Sequence, residues 1–386
     1  MKYNFDIITN RQGTNSYKYD FIGKKGKPSD VLPMWVADMD FPAPPEVLDD
    51  IHKVVCHGIF GYTEPSDEYY DAVVNWFSTR FGFHVDRREI VKTPGVVFSL
   101  AQTVRAFSNP GEAVLIQTPV YYPFYDIVLD NGRALVTNPL VYDDCLGYSI
   151  DFKDFEEKIV EHRVKVFILC NPHNPVGRVW SRADLERLSD ICVEHGVIVA
   201  SDEIHCDFVW KDNKHTCFGL INNDAIISSS PSKTFNLAGL QASNVFVKNP
   251  EYRKMLIDEI DCSGYSQLNT IGLAACQSAY TKGAIWLDEL KFYLEGNISL
   301  AKDYFAANLP KVNLVEPEST YLLWLDFSKY NLSQGELDRR VTYGAKLWLS
   351  SGTIFGEDGK GFERINIACP RSVLIRALER LGKEFE

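Results

Sequence analysis

The chain has 386 residues, of which 45% are hydrophobic and 24% are charged, and its formal net charge is −12. This composition is typical of a globular protein of two or three domains. The acidic balance argues against nucleic acid or an anionic membrane as a partner, because both bind basic surfaces.

The nine cysteines are scattered, with no CxxC pair and no cysteine–histidine cluster at zinc-ligand spacing. We therefore predict no metal site, and free thiols in a reducing cytoplasm. The first twenty residues have no apolar core, and no apolar run is long enough to cross a bilayer. We expect neither a signal peptide nor a membrane span, and a cytoplasmic location.

A helix is predicted after the turn Pro94-Gly95, over VVFSLAQTVRAF. A helix that opens in this way leaves the amides of Gly95, Val96 and Val97 free to bind an anion. An ordinary Pro-Gly turn before a helix explains the same residues equally well, so the turn alone does not identify a site.

Six apolar segments predict β-strands that are buried on both faces, as in a parallel sheet. Between the third and the fourth, Ser181 predicts a helix N-cap and Gly196 the helix end. Alternating strands and helices predict an α/β, doubly wound sheet, whose ligands bind at the carboxyl ends of the strands. The predicted strands are AVLIQT (113–118), RALVT (133–137), VKVFIL (164–169), VIVA (197–200), AIISS (225–229) and NVFVK (244–248).

After about residue 285 the pattern changes to helices and strands in blocks, which predicts a smaller α+β domain. We therefore predict three parts. Residues 1–45 form an N-terminal segment that packs on the small domain, residues 46–284 form the large domain, and residues 285–386 form the small domain.

Polar segments follow three of the predicted strands and contain Asn174 (NPHNPVG), Asp202 (SDEIHCD) and Lys233 (SPSKTFN). Each is weak evidence alone, since Lys233 by itself suggests an exposed loop lysine. Together they suggest one site. A desolvated lysine is a nucleophile, a carboxylate can keep a pyridine nitrogen protonated, and small hydroxyl residues can hold a phosphate.

With these residues in this order, the chain resembles the pyridoxal-phosphate enzymes of the class I/II aminotransferase fold, PLP-dependent fold type I. Within that fold it is most similar to the MalY/PatB branch of cystathionine β-lyases, or C–S lyases. The resemblance covers essentially the whole chain and implies a large domain with a mostly parallel, seven-stranded sheet. The segments that carry the narrower resemblance are MWVADMDFPAPPEV (34–47), GYTEP (61–65), SDEIHCDFV (201–209), NLAGLQASN (236–244) and RINIACPRS (364–372).

The resemblance implies pyridoxal 5'-phosphate as the cofactor and a role for each matching residue. Lys233 would form the Schiff base and then remove the substrate α-proton. Asp202 would pair with the ring nitrogen, Asn174 would reach the ring O3', and Tyr121 would stack on the ring.

The resemblance also implies which residues contact the substrate and which contact the phosphate of the cofactor. Arg371 would bind the substrate carboxylate, with Asn174 and Ala37 beside the substrate. Tyr62 would enter the site of a partner subunit, which implies a homodimer with shared active sites. The residues implied at the phosphate are Gly95, Val96, Val97, Ser230 and Ser232.

Two positions depart from the broad aminotransferase pattern. His205 stands where that pattern has a tyrosine, and contact with O3' or a structural role are both open for it. Gln241 stands where the pattern has an arginine near the phosphate. Trp35 and Asp38 line the substrate entrance or belong to a structural N-terminal clamp.

The implied function is α,β-elimination of L-cystathionine or a related cysteine S-conjugate to pyruvate, ammonia and a thiol, in amino-acid metabolism such as methionine biosynthesis. One alternative is a PLP-dependent aminotransferase, since loss of the α-proton is common to both reactions. An alternative of another class is a regulatory protein that binds a transcription factor. The physiological substrate stays open.

Overall fold

The computed structural model describes all residues of the chain, 1–386, as a mixture of helices and strands. The α-helices are α1 (Pro45–His57), α2 (Asp67–Phe81), α3 (Val96–Phe107), α4 (Pro123–Asp130), α5 (Phe152–His162), α6 (Arg182–Glu194), α7 (Pro231–Thr234), α8 (Pro250–Cys262), α9 (Thr270–Lys282), α10 (Ala284–Asn308), α11 (Gln334–Arg339) and α12 (Arg371–Phe385). The β-strands are β1 (Leu32–Pro33), β2 (Ile90–Thr93), β3 (Ala113–Thr118), β4 (Ala134–Pro139), β5 (Val141–Asp143), β6 (Gly147–Ser149), β7 (Val166–Cys170), β8 (Ile198–Asp202), β9 (Ile226–Ser229), β10 (Ser243–Phe246), β11 (Asn313–Leu314), β12 (Leu322–Asp326), β13 (Leu347–Trp348), β14 (Ser350–Ser351) and β15 (Phe362–Asn366). No helix of the chain is both long and apolar enough to cross a membrane.

The largest sheet has seven strands in the order β2-β10-β9-β8-β7-β3-β4. Strand β10 is antiparallel to both of its neighbours, and the other neighbouring pairs are parallel. This confirms the predicted mostly parallel, seven-stranded sheet. The six predicted strands are all present, and the short β2 completes the sheet at one edge. Strands β3 and β7 are buried along their whole length, which explains their continuous apolar sequence.

Helix α6 begins and ends where the sequence predicts. The Ser181 hydroxyl accepts a hydrogen bond from the Asp184 amide (3.1 Å), and the Asp184 carboxylate accepts one from the Ser181 amide (3.2 Å). Gly196 follows with φ +64°, a left-handed conformation that suits a residue without a Cβ. These contacts fix the helix that connects β7 to β8, and so hold the two strands whose ends carry Asn174 and Asp202.

The C-terminal part contains a four-stranded antiparallel sheet in the order β11-β12-β15-β14. Strands β12 and β15 are fully buried. The N-terminal segment is attached here, since β1 pairs in parallel with β13. The domain boundaries at residues 45 and 284 remain a prediction.

Ion pairs anchor the N-terminal segment. Lys18 is only 1% exposed and its Nζ lies 3.0 Å from Asp40 Oδ1, while Arg11 contacts both Asp38 (2.5 Å) and Asp40 (2.8 Å). A buried ammonium is tolerated only when it is paired in this way. Asp38 therefore belongs to the structural clamp, which was one of the two roles open for it.

Candidate active site

A cavity of ≈ 220 Å³, which we call the central cavity, lies where the carboxyl ends of β2, β3, β7, β8 and β9 meet. Most of the predicted site residues line it, as the topology of a doubly wound sheet requires. The lining residues are Ala37, Pro94, Gly95, Val96, Val97, Tyr121, Cys170, Asn174, Asp202, Ile204, His205, Ser230, Ser232, Lys233, Ala238, Gln241 and Ala242.

Lys233 lies on the short helix α7, which starts directly after β9. Its Nζ donates a hydrogen bond to the carbonyl oxygen of Ala37 (2.7 Å). Burial, with a smaller contribution from the positive charge of Arg364, lowers the pKa of Lys233 from 10.5 to about 8. Close to neutral pH, a substantial fraction of this amine is therefore a free base and a nucleophile.

Asp202 is the last residue of β8 and is buried. Its Oδ1 accepts a hydrogen bond from the Ile204 amide (3.0 Å), and it forms no ion pair within the chain. Burial raises the pKa of Asp202 to about 7. A cation placed beside this carboxylate in the cavity would lower its pKa again, so the site is suited to a positively charged ligand group.

The unpaired Asp202 carboxylate is expected to destabilise the cofactor-free chain. Its folded-state pKa of about 7 lies above the ordinary value of 3.8, so ionisation costs folding free energy above about pH 7 and costs progressively less as the pH falls towards 4. Asp202→Asn should therefore raise the melting temperature of the cofactor-free protein at about pH 8, and raise it less at about pH 5. Calorimetry checks this, with the exposed Asp190→Asn as control. A gain that does not change with pH would contradict the buried, uncompensated charge.

Asn174 and Arg364 form a buried pair beside Lys233. Arg364 Nη1 donates to Asn174 Oδ1 (2.9 Å), and Nη2 donates to the Trp35 carbonyl (3.0 Å) and to Ser350 Oγ (3.2 Å). Arg364 forms no ion pair within the chain, and burial lowers its pKa to about 10. A buried guanidinium without a carboxylate is costly, so this position favours an anionic ligand. The bond to Arg364 also leaves the Asn174 amide group free to donate.

The structure does not bring Arg371 to this site, contrary to the prediction. Arg371 is the first residue of α12, and it packs on α10, where its guanidinium lies 4.9 Å from the Tyr293 ring centre and 3.4 Å from Asn297 Oδ1. Both arginines stand in the segment RINIACPRS. Arg364, on the buried strand β15, is the arginine of this segment that contacts a residue of the central cavity, Asn174.

Asn366, which the sequence analysis did not single out, holds the loop over Lys233. Its side-chain amide donates to the carbonyls of Val36 and Asp38 (2.6 Å each). Ala37, between these two residues, is thereby placed at the Lys233 ammonium. Side chains alternate between the two faces of a strand, so Arg364 and Asn366 lie on the same face of β15 (FERIN). This alternation is the sequence signal from which both residues could have been predicted to belong to one site.

The start of α3 forms an anion cradle at one end of the central cavity. Gly95 is the N-cap, with φ +157°, and no side chain caps the helix. The first amides of a helix have no intrahelical partner, so those at Val96 and Val97 are available to a ligand. An alanine at position 95 would be strained, because such a φ is almost confined to glycine.

The two serines before Lys233 differ in their availability. The Ser230 hydroxyl donates to the Ala242 carbonyl (2.6 Å) and accepts from the Ser232 amide (3.1 Å), so it caps α7. The Ser232 hydroxyl makes no hydrogen bond within the chain and can donate to an anion. Gln241 also lines this cavity, in a left-handed conformation (φ +48°). No cationic side chain other than Lys233 lines the central cavity.

His205 and Tyr121 provide a neutral wall. Burial lowers the pKa of His205 well below its usual value and raises that of Tyr121, so both side chains are uncharged near neutral pH. The Nδ1 of His205 is buried and has no hydrogen-bond partner in the chain. A ligand that fills the cavity can supply this partner, which keeps both roles open for His205.

Tyr62 does not reach the central cavity of its own chain. Its side chain is 100% exposed and lines a separate surface groove of ≈ 580 Å³ with Phe60, Gly61, Thr63 and residues 266–271. Ile59 and Phe60, next to it, are also exposed. An exposed apolar patch of this kind marks a surface for association.

Comparison with known proteins places this geometry in context. Residues 29–381 match the family Aminotransferase class I and II. The chain is 44% identical to cystathionine beta-lyase PatB of Bacillus subtilis, over 98% of each chain. It is 33% identical to protein MalY of Escherichia coli, again over 98% of each. Among solved structures, the PLP-bound C–S lyase from Staphylococcus hominis is similar, with a TM-score of 0.90, 33% identity and 99% coverage of each chain.

Proposed function

The chain belongs to the class I and II aminotransferase family, and from this premise we propose that it is a pyridoxal-phosphate-dependent C–S β-lyase. Its substrates are L-cystathionine or related cysteine S-conjugates, which it converts to pyruvate, ammonia and a thiol. The observation that carries the proposal is that a buried lysine and an uncompensated aspartate meet at the central cavity, with a buried arginine that has no acidic partner directly behind Asn174.

The residues of the central cavity fit pyridoxal 5'-phosphate. Asp202 is an unpaired buried carboxylate suited to a protonated ring nitrogen, and the His205 Nδ1 lacks a partner. The open amides at the start of α3 and the free Ser232 hydroxyl suit the phosphate. When bound through Lys233, this cofactor supplies an electron sink for the negative charge left at the substrate Cα.

Arg364 is the residue that we propose for the substrate α-carboxylate, in place of Arg371. It is buried, unpaired and joined to Asn174, and a guanidinium fork binds a carboxylate with two parallel hydrogen bonds. Asn174, which Arg364 contacts, would hold the cofactor at its O3'. A substrate whose carboxylate is bound by Arg364 would then lie beside Lys233, which would act at its Cα.

Lys233 acts as the base that removes the α-proton. With a pKa of about 8, part of the Lys233 amine is neutral at physiological pH. The hydrogen bond to the Ala37 carbonyl fixes the direction of Nζ. The hydrogen bonds from Asn366 to Val36 and Asp38 hold the loop that carries this carbonyl in place. The thiol then leaves from Cβ, and the remaining three-carbon unit hydrolyses to pyruvate and ammonia.

Incubation with L-cystathionine alone tests the reaction type. We expect pyruvate and thiol in equal amounts without any added keto acid. Turnover only in the presence of a keto-acid acceptor would identify an aminotransferase instead. A Lys233→Ala variant that lacks activity but keeps a cellular phenotype would favour the regulatory alternative.

We further propose that two copies of the chain form a homodimer, with Tyr62 of each copy in the other's active site. The full exposure of Tyr62 and its distance from its own cavity support this arrangement. Lys233→Ala and Tyr62→Ala should then each be impaired alone, but mixing the two after mild dissociation should restore activity. Because half of the dimers are mixed and each has one intact site, we expect about a quarter of the wild-type rate. Refolded mixtures with no gain over the separate variants would contradict shared sites.

A further inference from the structure

A second cavity, of ≈ 610 Å³, lies between α2, the segment 206–215 and α10, and shares no lining residue with the central cavity. We call it the basic cavity. Four of its ten lining residues carry a permanent positive charge, in a chain whose net charge is −12, and Asp207 is its one acidic residue. The lining residues are Arg80, Phe81, Cys206, Asp207, Val209, Lys211, Asn213, Lys214, His215 and Lys291.

Two of these cations form no hydrogen bond and no ion pair within the chain. Lys291, on α10, forms neither a hydrogen bond nor an ion pair, and burial lowers its pKa. Lys214 is exposed and likewise forms neither. An ammonium that has lost much of its hydration and has gained no partner is destabilising, so an anion at this position would be favourable.

The other two cations can turn towards a ligand at little cost. Arg80 contacts Asp288 (3.1 Å) and Lys211 contacts Glu316 (2.5 Å), and both carboxylates are more than half exposed. Ion pairs of this kind contribute little free energy. The Arg80 guanidinium also lies 4.2 Å from the Trp76 ring centre, which orients it in advance. His215 is already engaged, because its Nε2 lies 2.9 Å from buried Glu203.

Asp207 forms part of the wall and has an unsatisfied atom. It is 5% exposed, its Oδ2 accepts a hydrogen bond from the Thr234 hydroxyl (2.8 Å), and its buried Oδ1 has no partner. Burial raises the pKa of Asp207, while the positive charges of Arg80 and Lys291 act in the opposite direction. Thr234 follows Lys233 directly, so this contact joins the basic cavity to the helix that carries the lysine.

We propose that the basic cavity binds a small multivalent oxyanion, a metabolite with a phosphate or several carboxylates, through Lys291, Lys214 and Arg80. Its volume lies in the range of small-molecule sites. A long polyanion such as RNA is disfavoured, because the four cations share one concavity on an acidic protein. This proposal does not depend on the lyase reaction, since it concerns binding at a separate cavity.

Titration calorimetry of the cofactor-loaded protein tests the proposal, with pyrophosphate and citrate as probes. We expect one site per chain for at least one probe, with affinity reduced about tenfold in Lys291→Gln and in Lys214→Gln. The exposed Lys153→Gln on α5 serves as a matched control and should bind like the wild type. Arg364→Gln should also bind like the wild type, because Arg364 contacts Asn174 and does not line the basic cavity.

Three results would overturn the proposal. The first is no binding of either probe at millimolar concentration. The second is equal affinity in Lys291→Gln, Lys214→Gln and Lys153→Gln. The third is loss of binding in Arg364→Gln, which would place the anion at the substrate carboxylate site. Because Lys214 is exposed, its variant stays informative even when Lys291→Gln fails to fold. The probe that binds more tightly distinguishes a phosphate from a carboxylate ligand.

Discussion

Replacing Lys233 with alanine is expected to lower kcat/KM for pyruvate release from L-cystathionine by about 10⁴-fold. The variant loses both the amine that anchors the cofactor covalently and the base that removes the α-proton. Apart from His205, whose pKa is lowered by burial, no other basic side chain lines the central cavity. The exposed Lys153→Ala serves as control and should keep the wild-type rate.

A rescue experiment separates a chemical role of Lys233 from a structural one. A small primary amine such as methylamine fits the space that the lysine side chain vacates, so it should restore part of the rate in Lys233→Ala. The restored rate should rise with the concentration of the neutral amine, and therefore with pH. A variant that retains the wild-type rate, or that loses the long-wavelength absorbance of the bound cofactor without losing activity, would contradict the assignment.

The elements that carry Lys233, Asp202 and Asn174 could be predicted from the sequence because each lies in a local pattern. Strand β7 is a continuous apolar run and strands β8 and β9 begin with apolar residues, so the polar residues at and after their ends stand out by contrast. The start of helix α6 is marked by Ser181 and its end by Gly196, and both signals can be read from the local sequence. Sheet topology then brings the three strand ends together without further information.

The residues that sequence analysis missed depend on contacts between distant segments. Arg364 lies beside Asn174, 190 residues earlier, and Asn366 reaches Val36 across 330 residues. No local pattern reports such a contact. Arg364 lies on a fully buried strand and has no acidic partner, and neither property can be read from the residues next to it.

Ser230 illustrates a different limit. Its identity as a small hydroxyl residue before Lys233 fits both a phosphate ligand and a helix cap, and the hydrogen bond that its hydroxyl accepts from the Ser232 amide shows that it caps α7. The direction of β10 could not be predicted either, because its apolar sequence is compatible with a parallel or an antiparallel strand. In both cases the residue type is right for two structures of comparable energy, and tertiary contacts select one.

The paired variants Arg364→Gln and Arg371→Gln should separate the two arginines of RINIACPRS. Arg364→Gln is expected to lower kcat/KM for L-cystathionine by about 10²- to 10³-fold, mostly through KM, because two charge-assisted hydrogen bonds to the carboxylate are lost. Arg371→Gln should change kcat/KM by no more than about threefold, since its guanidinium packs on α10, away from the central cavity.

Arg364→Lys refines this comparison, because it keeps the positive charge but loses the planar fork. We expect an intermediate rate, nearer to Arg364→Gln than to the wild type, since a lysine cannot bind both Asn174 and the substrate carboxylate in one plane. Melting temperatures of the three variants control for unfolding. If Arg371→Gln raises KM as strongly as Arg364→Gln does, the substrate carboxylate binds elsewhere than the geometry of β15 indicates. A large loss in Arg364→Gln alone would tie substrate binding to the strand rather than to the helix that follows it.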